Sequence, residues 1–295
     1  MVGNDDFAVA LTIADNGYMG LDSISLLDFR TGWNRTVSPM RLLPRGKTGL
    51  PSTSQKGDVG IAGKGYALHF ANDGTTRTLT AHMDDFDGGR PVDIHLTLTD
   101  VPRDSMVIAT PFRGKPRHFY YNQKINCLTA AGSCRLGQEE WTFRPEDSMA
   151  VLDWGRGVWT WRNTWYWSSA SGRVQGRRFG FNLGYGFGDT SAASENMLFV
   201  DGVAHKLDQV AFEIPRTPEG GDAYLQPWRI RDNEGRLELT FTPLLDRASK
   251  TDFLVLGSDQ HQVFGRFDGF AVTDEGERLT VNHLTGFAEK VRNKW

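Results

Sequence analysis

Only two cysteines occur in this 295-residue chain, Cys127 and Cys134. Two cannot build a disulfide framework, although NCLTAAGSC would let them close a hairpin. Reduced thiols in a cytoplasmic protein are the expectation. No His-x-x-x-His spacing and no carboxylate cluster accompanies them, so no metal site is expected. No apolar stretch approaches the ~18 residues of a membrane-spanning helix. No charged-then-apolar leader opens the chain, which again points to the cytoplasm. Neither half is strongly basic: 33 Lys plus Arg stand against 36 Asp plus Glu, for a net charge of -3. Nucleic acid is therefore not an expected partner. A Gly-x-Ser-x-Gly elbow is missing. Gly184–Gly188 is Gly-rich, but no strand–helix unit follows it, so it is no nucleotide loop and no cofactor is expected. Long amphipathic helical stretches are missing too. Only Leu284–Arg292 reads as a helix, a short one near the C-terminus.

What the chain does have is short apolar runs punctuated by 33 glycines and 12 prolines. Alternation is clear in Val92–Leu98 and in Leu237–Phe241, so one face of each strand is buried and the other wet. Hairpin chemistry recurs, with Asp201-Gly202 before Val203 and Asn233-Glu234-Gly235 before Leu237–Thr242. About sixteen such strands with tight turns imply an all-β protein with antiparallel sheets closed as barrels or packed as sandwiches. The expected organisation is two barrels in tandem, residues 1–145 and 146–295, joined at the Pro-containing break Arg144–Ser148. Pro39–Lys56 reads as a long loop, a candidate cover for a cavity mouth.

The densest signal is Asp153–Arg173, DWGRGVWTWRNTWYWSSASGR. Five of the nine tryptophans fall in it. From Trp159 the rings lie at odd positions, Trp159, Trp161, Trp165 and Trp167, which is the repeat of a strand and puts them on one face. A face of rings beside Asp153 and Arg156 describes a ligand-cavity wall or, equally, a Trp-rich core. Asp153 follows the apolar run Met149–Leu152. In a ring-lined pocket its pKa would rise and it could serve as a general acid. Otherwise it caps the Gly155–Gly157 turn or pairs with Arg156, and such pairing would spoil it as an acid. Asn122, Lys124 and Asn126 share one strand face, either wet or lining a barrel. His261 is the candidate proton carrier. Asn182, Glu195 and Asn196 complete the polar set; whether Glu195 meets Asp153 is left to the fold.

The chain resembles the bacterial DUF2804 family. The likeness rests on ALTIADNGYMGLDSISLLDF (Ala10–Phe29), YNQKINCLTAAGS (Tyr121–Ser133), AVLDWGRGVWTWRNTWYWSSASGR (Ala150–Arg173), GFNLGYGFGDTSAASENMLFVDGVAHKL (Gly180–Leu207), HQVFGRFDGF (His261–Phe270) and LTGFAEKVRNKW (Leu284–Trp295). Members usually carry a longer N-terminal segment, whereas this chain starts at the first matching strand. The family is similar, more distantly, to the carotenoid 1,2-hydratase, AttH-type and lipocalin-like pericyclase group. That resemblance implies two lipocalin-like barrels, an apolar small-molecule ligand, and Asp153 as the acid entering the cavity.

Three functions follow as expectations. One is a cofactor-independent enzyme doing proton-transfer chemistry (hydratase, isomerase, lyase or cyclase) on an apolar or amphipathic molecule. Its catalytic residues would be Asp153 and His261, with Asn122, Lys124, Arg156, Trp159, Trp161, Trp165, Trp167, Asn182, Glu195 and Asn196 binding substrate. Another is a non-catalytic lipocalin-type carrier. The third is a carbohydrate-active protein, which needs an open groove and two carboxylates roughly 5–10 Å apart.

Overall fold

The structure, a computed structural model, describes residues 1–252 and 257–294. Its strands are β1 (Val2–Gly3), β2 (Phe7–Asp15), β3 (Met19–Asp28), β4 (Trp33–Val37), β5 (Met40–Leu42), β6 (Val59–Gly63), β7 (Tyr66–Asn72), β8 (Arg77–Asp87), β9 (Arg90–Thr99), β10 (Met106–Phe112), β11 (Lys115–Leu136), β12 (Glu139–Phe143), β13 (Met149–Val158), β14 (Arg162–Val174), β15 (Arg177–Tyr185), β16 (Met197–Val200), β17 (Val203–Lys206), β18 (Val210–Glu213), β19 (Trp228–Asp232), β20 (Leu237–Asp252), β21 (Gly257–Val272) and β22 (Arg278–Lys294). Every pairing among the described residues is antiparallel, and no helix occurs among them, hence none long and apolar enough to cross a membrane. The all-β class expected from the alternation is the one observed: two antiparallel sheets.

Two compact units form. Unit 1 comprises Met1–Val101 and Leu128–Ala150; unit 2 comprises Pro102–Cys127 and Val151–Trp295. Arg144–Ser148 is a turn closed by the Ser148 amide on the Arg144 carbonyl at 2.8 Å. It leads into β13, which passes from unit 1 to unit 2 after Ala150. In unit 1 the strand order runs β4-β3-β2-β1-β13-β11-β9-β8-β7-β6. Alternation works there as expected, since Val92, Ile94, Leu96 and Leu98 of β9 are all buried. Pro39–Lys56, expected as one long loop, contains β5 paired to β3, and the segment is tied down: Arg41 makes a fork to buried Asp22 at 2.8 and 3.0 Å and donates to Thr48 at 2.9 Å.

Unit 2 is built on the sheet β17-β16-β15-β14-β22-β21-β20-β19-β18. This sheet curls, for β15 touches β18 although they stand six places apart in strand order. The Phe212 amide of β18 donates to the Tyr185 hydroxyl of β15 at 3.3 Å. The enclosed face carries a continuous apolar core that includes Phe179, Phe181, Leu183, Trp228, Phe241 and Phe267. Asp201-Gly202 joins β16 to β17, as its sequence indicates.

One expectation is corrected. Leu284–Arg292 is not a helix; it lies inside β22, paired to β14 on one side and β21 on the other. Ala288, Glu289 and Lys290 are good helix formers, but a strand with two partners overrides that preference. The two charges that look like a helix's wet face are both buried, on opposite faces of the sheet. Glu289 accepts from Trp165 and Gln262, whereas Lys290 pairs with Asp222.

Candidate functional site

The site is assembled on the face of unit 2's sheet turned away from its apolar core. Along β14, Tyr166 packs against that core and Ala170 belongs to it, so by alternation Trp165, Trp167 and Ser169 point the other way. Trp159 and Trp161 are not on that strand. β13 stops at Val158 and β14 starts at Arg162, so both rings lie in the turn between, and Trp161 is 51% exposed. The period-two pattern holds for two of the four rings because the strand is shorter than the pattern.

Register places carboxyls beside both remaining indoles. Trp167 stands opposite Glu289, and Glu289 opposite Gln262. The Trp165 indole donates to Glu289 Oε1 at 2.7 Å, and the Gln262 amide donates to Oε2 at 2.7 Å. The Trp167 indole donates to Asn182 Oδ1 at 2.7 Å, and Asn182 Nδ2 donates to Glu195 Oε2 at 3.1 Å. Each tryptophan is thus tied to an acid, one directly and one through an amide.

β11 supplies the opposing layer. Lys124 is buried, sits over the Trp167 ring at 4.1 Å from its centroid, and pairs with Asp153 of β13. Asn126 donates to Ser169 Oγ at 2.8 Å and to the Phe181 carbonyl at 3.0 Å. Tyr120, Asn122, Lys124 and Asn126 therefore share the face turned to β14, while Tyr121 points away onto Trp154 with ring centroids 5.8 Å apart. Asn122 is 2% exposed, and its Oδ1 has no hydrogen-bond partner.

Burial dominates the electrostatics. Desolvation raises the pKa of the Glu289 carboxyl above its ordinary value, against the hydrogen bonds from Trp165 and Gln262 and the charges of Arg247 and Lys124. Desolvation raises Glu195 likewise, opposed by the Lys124 charge and the Asn182 hydrogen bond. Glu195 keeps part of its surface in solvent, while its Oε2 accepts from Asn182. The Tyr120 phenol is pushed well up, first by burial and then by the negative charges of Asp153, Glu195 and Glu289. These groups sense one another across unit 2 although they span residues 120 to 289. The result is a buried lysine and two carboxyls held above their ordinary pKa beside indole faces, groups able to give and take a proton.

Above them lies a ring cage. Phe187 is surrounded by Phe112, Tyr120, Trp159 and Trp165 at centroid distances of 5.5, 4.9, 5.6 and 5.2 Å. The space beside Trp159 and Trp165 is therefore occupied by a side chain. A cavity of about 470 Å³ lies elsewhere, on unit 1, and is lined by residues including His69, Thr80, His95 and Arg135.

The remaining sequence candidates stand at the edge of this cluster or outside it. Asp153, paired with Lys124 at the edge, is 43% exposed rather than buried. His261 faces the opposite side of the sheet from its neighbour Gln262; it bonds Asp246 at 2.6 Å and stacks on Tyr224 at 3.8 Å. Arg156 is exposed and lies over Trp154 at 5.3 Å. Asn196 is structural, accepting from the Gly184 amide at 2.7 Å and donating to the Asp208 carbonyl at 2.9 Å. Sequence reasoning missed Glu289, Gln262, Tyr120 and Phe187. Phe187 carries a signal, a lone aromatic between two glycines, that a nucleotide-loop reading of Gly184–Gly188 does not use. Among the described residues no group of three or more His, Cys, Asp or Glu is placed to hold a metal ion.

Solved structures share this fold. Kievitone hydratase from Nectria haematococca is 9% identical with a TM-score of 0.51, the match covering 100% of this chain and 87% of that one. A protein assigned as AttH from Nitrosomonas europaea is 14% identical with a TM-score of 0.56, over 98% and 85%. CghA with Sch210972 is 11% identical with a TM-score of 0.50, over 98% and 86%. Likeness at such identities shows the fold alone. No curated protein is similar. Residues 1–295 match the profile described as domain of unknown function DUF2804, and the chain belongs to that family.

Proposed function

We propose that the protein is a cofactor-independent enzyme that moves protons on a mainly apolar small molecule, by hydration, elimination, isomerisation or cyclisation. The observation that carries this reading is the pair of desolvated carboxyls, Glu195 and Glu289, flanking buried Lys124 against Trp165 and Trp167. A carboxyl kept protonated nearer neutral pH is a general acid. In the hydratase form, Glu289 gives its proton to one alkene carbon. Water forms the C–O bond at the other carbon, and its surplus proton returns to the carboxylate. Lys124 stabilises the negative charge left on the Glu289 carboxylate once its proton is given up. Asp153, expected from the sequence as the acid, instead positions Lys124 through their ion pair. His261 takes no part in this assignment. One fold neighbour is named a hydratase, which agrees with the reading by analogy.

The test starts with mass spectrometry of whatever small molecule native protein retains, followed by turnover assays on that molecule. E289Q and E195Q keep shape and an acceptor oxygen but lose the proton; turnover should fall by roughly 100-fold in at least one of them. Folded variants that both turn over at the wild-type rate refute the reading. A second reading, a lipocalin-type carrier with no chemistry, is favoured by the exposed Asp153 being held by Lys124. It predicts a retained ligand that emerges unchanged.

A further inference from the structure

Phe187 is the hub of an unusual arrangement. All four surrounding rings meet it nearly at right angles: Phe112 at 81°, Tyr120 at 87°, Trp159 at 77° and Trp165 at 80°. Perpendicular packing matches the positive edge of one ring to the negative face of another. Such a cage selects a flat aromatic ring over a puckered ring of similar size. Phe187 sits on the strandless segment between β15 and β16 and keeps part of its surface in solvent, whereas Phe112 below it is buried. The segment's tip is held by the Asp189 amide on the Pro111 carbonyl at 2.7 Å and by Arg113, which is 83% exposed. A ring that closes a cage from a segment with no strand pairing, and that keeps part of its surface in solvent, is placed to leave it.

The second observation is Asn122. Its residue is 2% exposed, its Oδ1 has no partner, and it stands on the same face of β11 as Tyr120, one of the cage rings. A buried acceptor without a donor costs free energy that a ligand hydroxyl would recover.

We propose that Phe187 fills a subsite for a planar aromatic ring of the ligand, and that the ligand is a phenol whose hydroxyl donates to Asn122 Oδ1. This rests on the ligand site assigned above and names its substrate class. No covalent step is involved: Phe187 swings out with its loop, and the ligand ring takes its place among Phe112, Tyr120, Trp159 and Trp165.

The test uses p-cresol, toluene and 4-methylcyclohexanol as probes on the full chain, followed by tryptophan fluorescence and saturation-transfer NMR. F187A empties the cage, and an emptied apolar site takes up small aromatics. In F187A, p-cresol should bind at least about tenfold tighter than 4-methylcyclohexanol. Adding N122L should weaken p-cresol by about tenfold and leave toluene unchanged. If F187A does not fold, the wild-type protein carries the test: p-cresol should bind saturably, ahead of 4-methylcyclohexanol, and cleavage of residues 189–193 by protease should increase. Equal binding of flat and puckered probes in the folded proteins, or no binding of either, overturns the proposal. Turnover and probe binding are measured separately, both on the wild-type protein. Ring selectivity without turnover would thus sink the enzyme reading alone, and turnover without ring selectivity would sink the subsite alone.

Discussion

Trp165 and Glu289, 124 residues apart, are joined by a hydrogen bond of 2.7 Å from the indole N–H to Oε1. The bond exists because β14 and β22 are neighbours in register, which sets Trp165 opposite Val291 and Trp167 opposite Glu289. Hydrogen bonding satisfies the carboxyl, yet desolvation still wins and raises its pKa.

That balance makes stability depend on pH. Glu289 and Glu195 both have folded pKa values above the ordinary 4.5. For a carboxyl shifted up, the contribution to stability is fully present below the unfolded pKa and is lost as pH rises through the folded one. Wild-type protein should therefore lose stability relative to the E195Q/E289Q double variant as pH rises from about 4.5 towards neutrality. Urea midpoints of both proteins across that range check it. A constant difference would mean that the two groups ionise alike in both states.

Removing the charge of Asp153 tests the other half of the cluster. Lys124 is buried and Asp153 half-exposed, so the pair lies between the surface and interior limits. D153N should cost ~1–3 kcal/mol, since it leaves a buried ammonium with a weaker partner. If Asp153 positions Lys124, turnover should fall by roughly 10- to 100-fold, and K124M should do at least as much damage. A D153N protein with unchanged stability and turnover would free Asp153 of any role.

Local physics was legible in the sequence, and long-range convergence was not. Alternation in Val92–Leu98 and the Asp201-Gly202 turn are local facts, and the fold uses them as they stand. The Trp-rich strand was legible at Trp165 and Trp167, but the turn at Trp159–Trp161 cut the pattern short. Glu289 and Lys290 were hidden because a buried charge on each face of a central strand mimics the polar positions of a helix. Lys124 was legible as one of three polar residues on a strand face, and Asn182 and Glu195 as members of the polar set, but their convergence depends on pairing between distant strands. The convergence of Glu289 with them follows from the β14–β22 register, which no local pattern encodes.

Both thiols should be inert in the native protein. Cys127 and Cys134 are free and buried; desolvation pushes the Cys127 thiol up to about 12 and the Cys134 thiol further still. A thiol shifted that far carries almost no thiolate, the reactive form, at mildly alkaline pH. A disulfide-exchange reagent such as DTNB should label neither in native protein and both in denaturant. Fast native labelling of either would show that its strand opens locally.

The loop that carries Phe187 offers the sharpest structural test. Gly186 and Gly188 have φ of 95° and 92°, a region that side-chain-bearing residues rarely adopt. Each also lacks room. A Cβ on Gly186 would lie 2.7 Å from the Thr164 carbonyl oxygen, and one on Gly188 would lie 2.6 Å from Thr110 Cγ2 and 2.8 Å from the Pro111 oxygen. Gly176, in the β14–β15 turn, has φ of 81° and nothing within 4 Å, so it isolates the backbone cost from the clash. G176A should cost about 1 kcal/mol and leave the tryptophan emission unchanged. G186A and G188A should cost more, about 2–3 kcal/mol, because strain and overlap add. They should also shift the emission, because the loop can relieve the overlap only by drawing Phe187 away from Trp159 and Trp165. Thermal unfolding with fluorescence detection separates the outcomes. Equal effects at all three positions, with emission unmoved, would mean that the loop absorbs a methyl group without disturbing the ring cage.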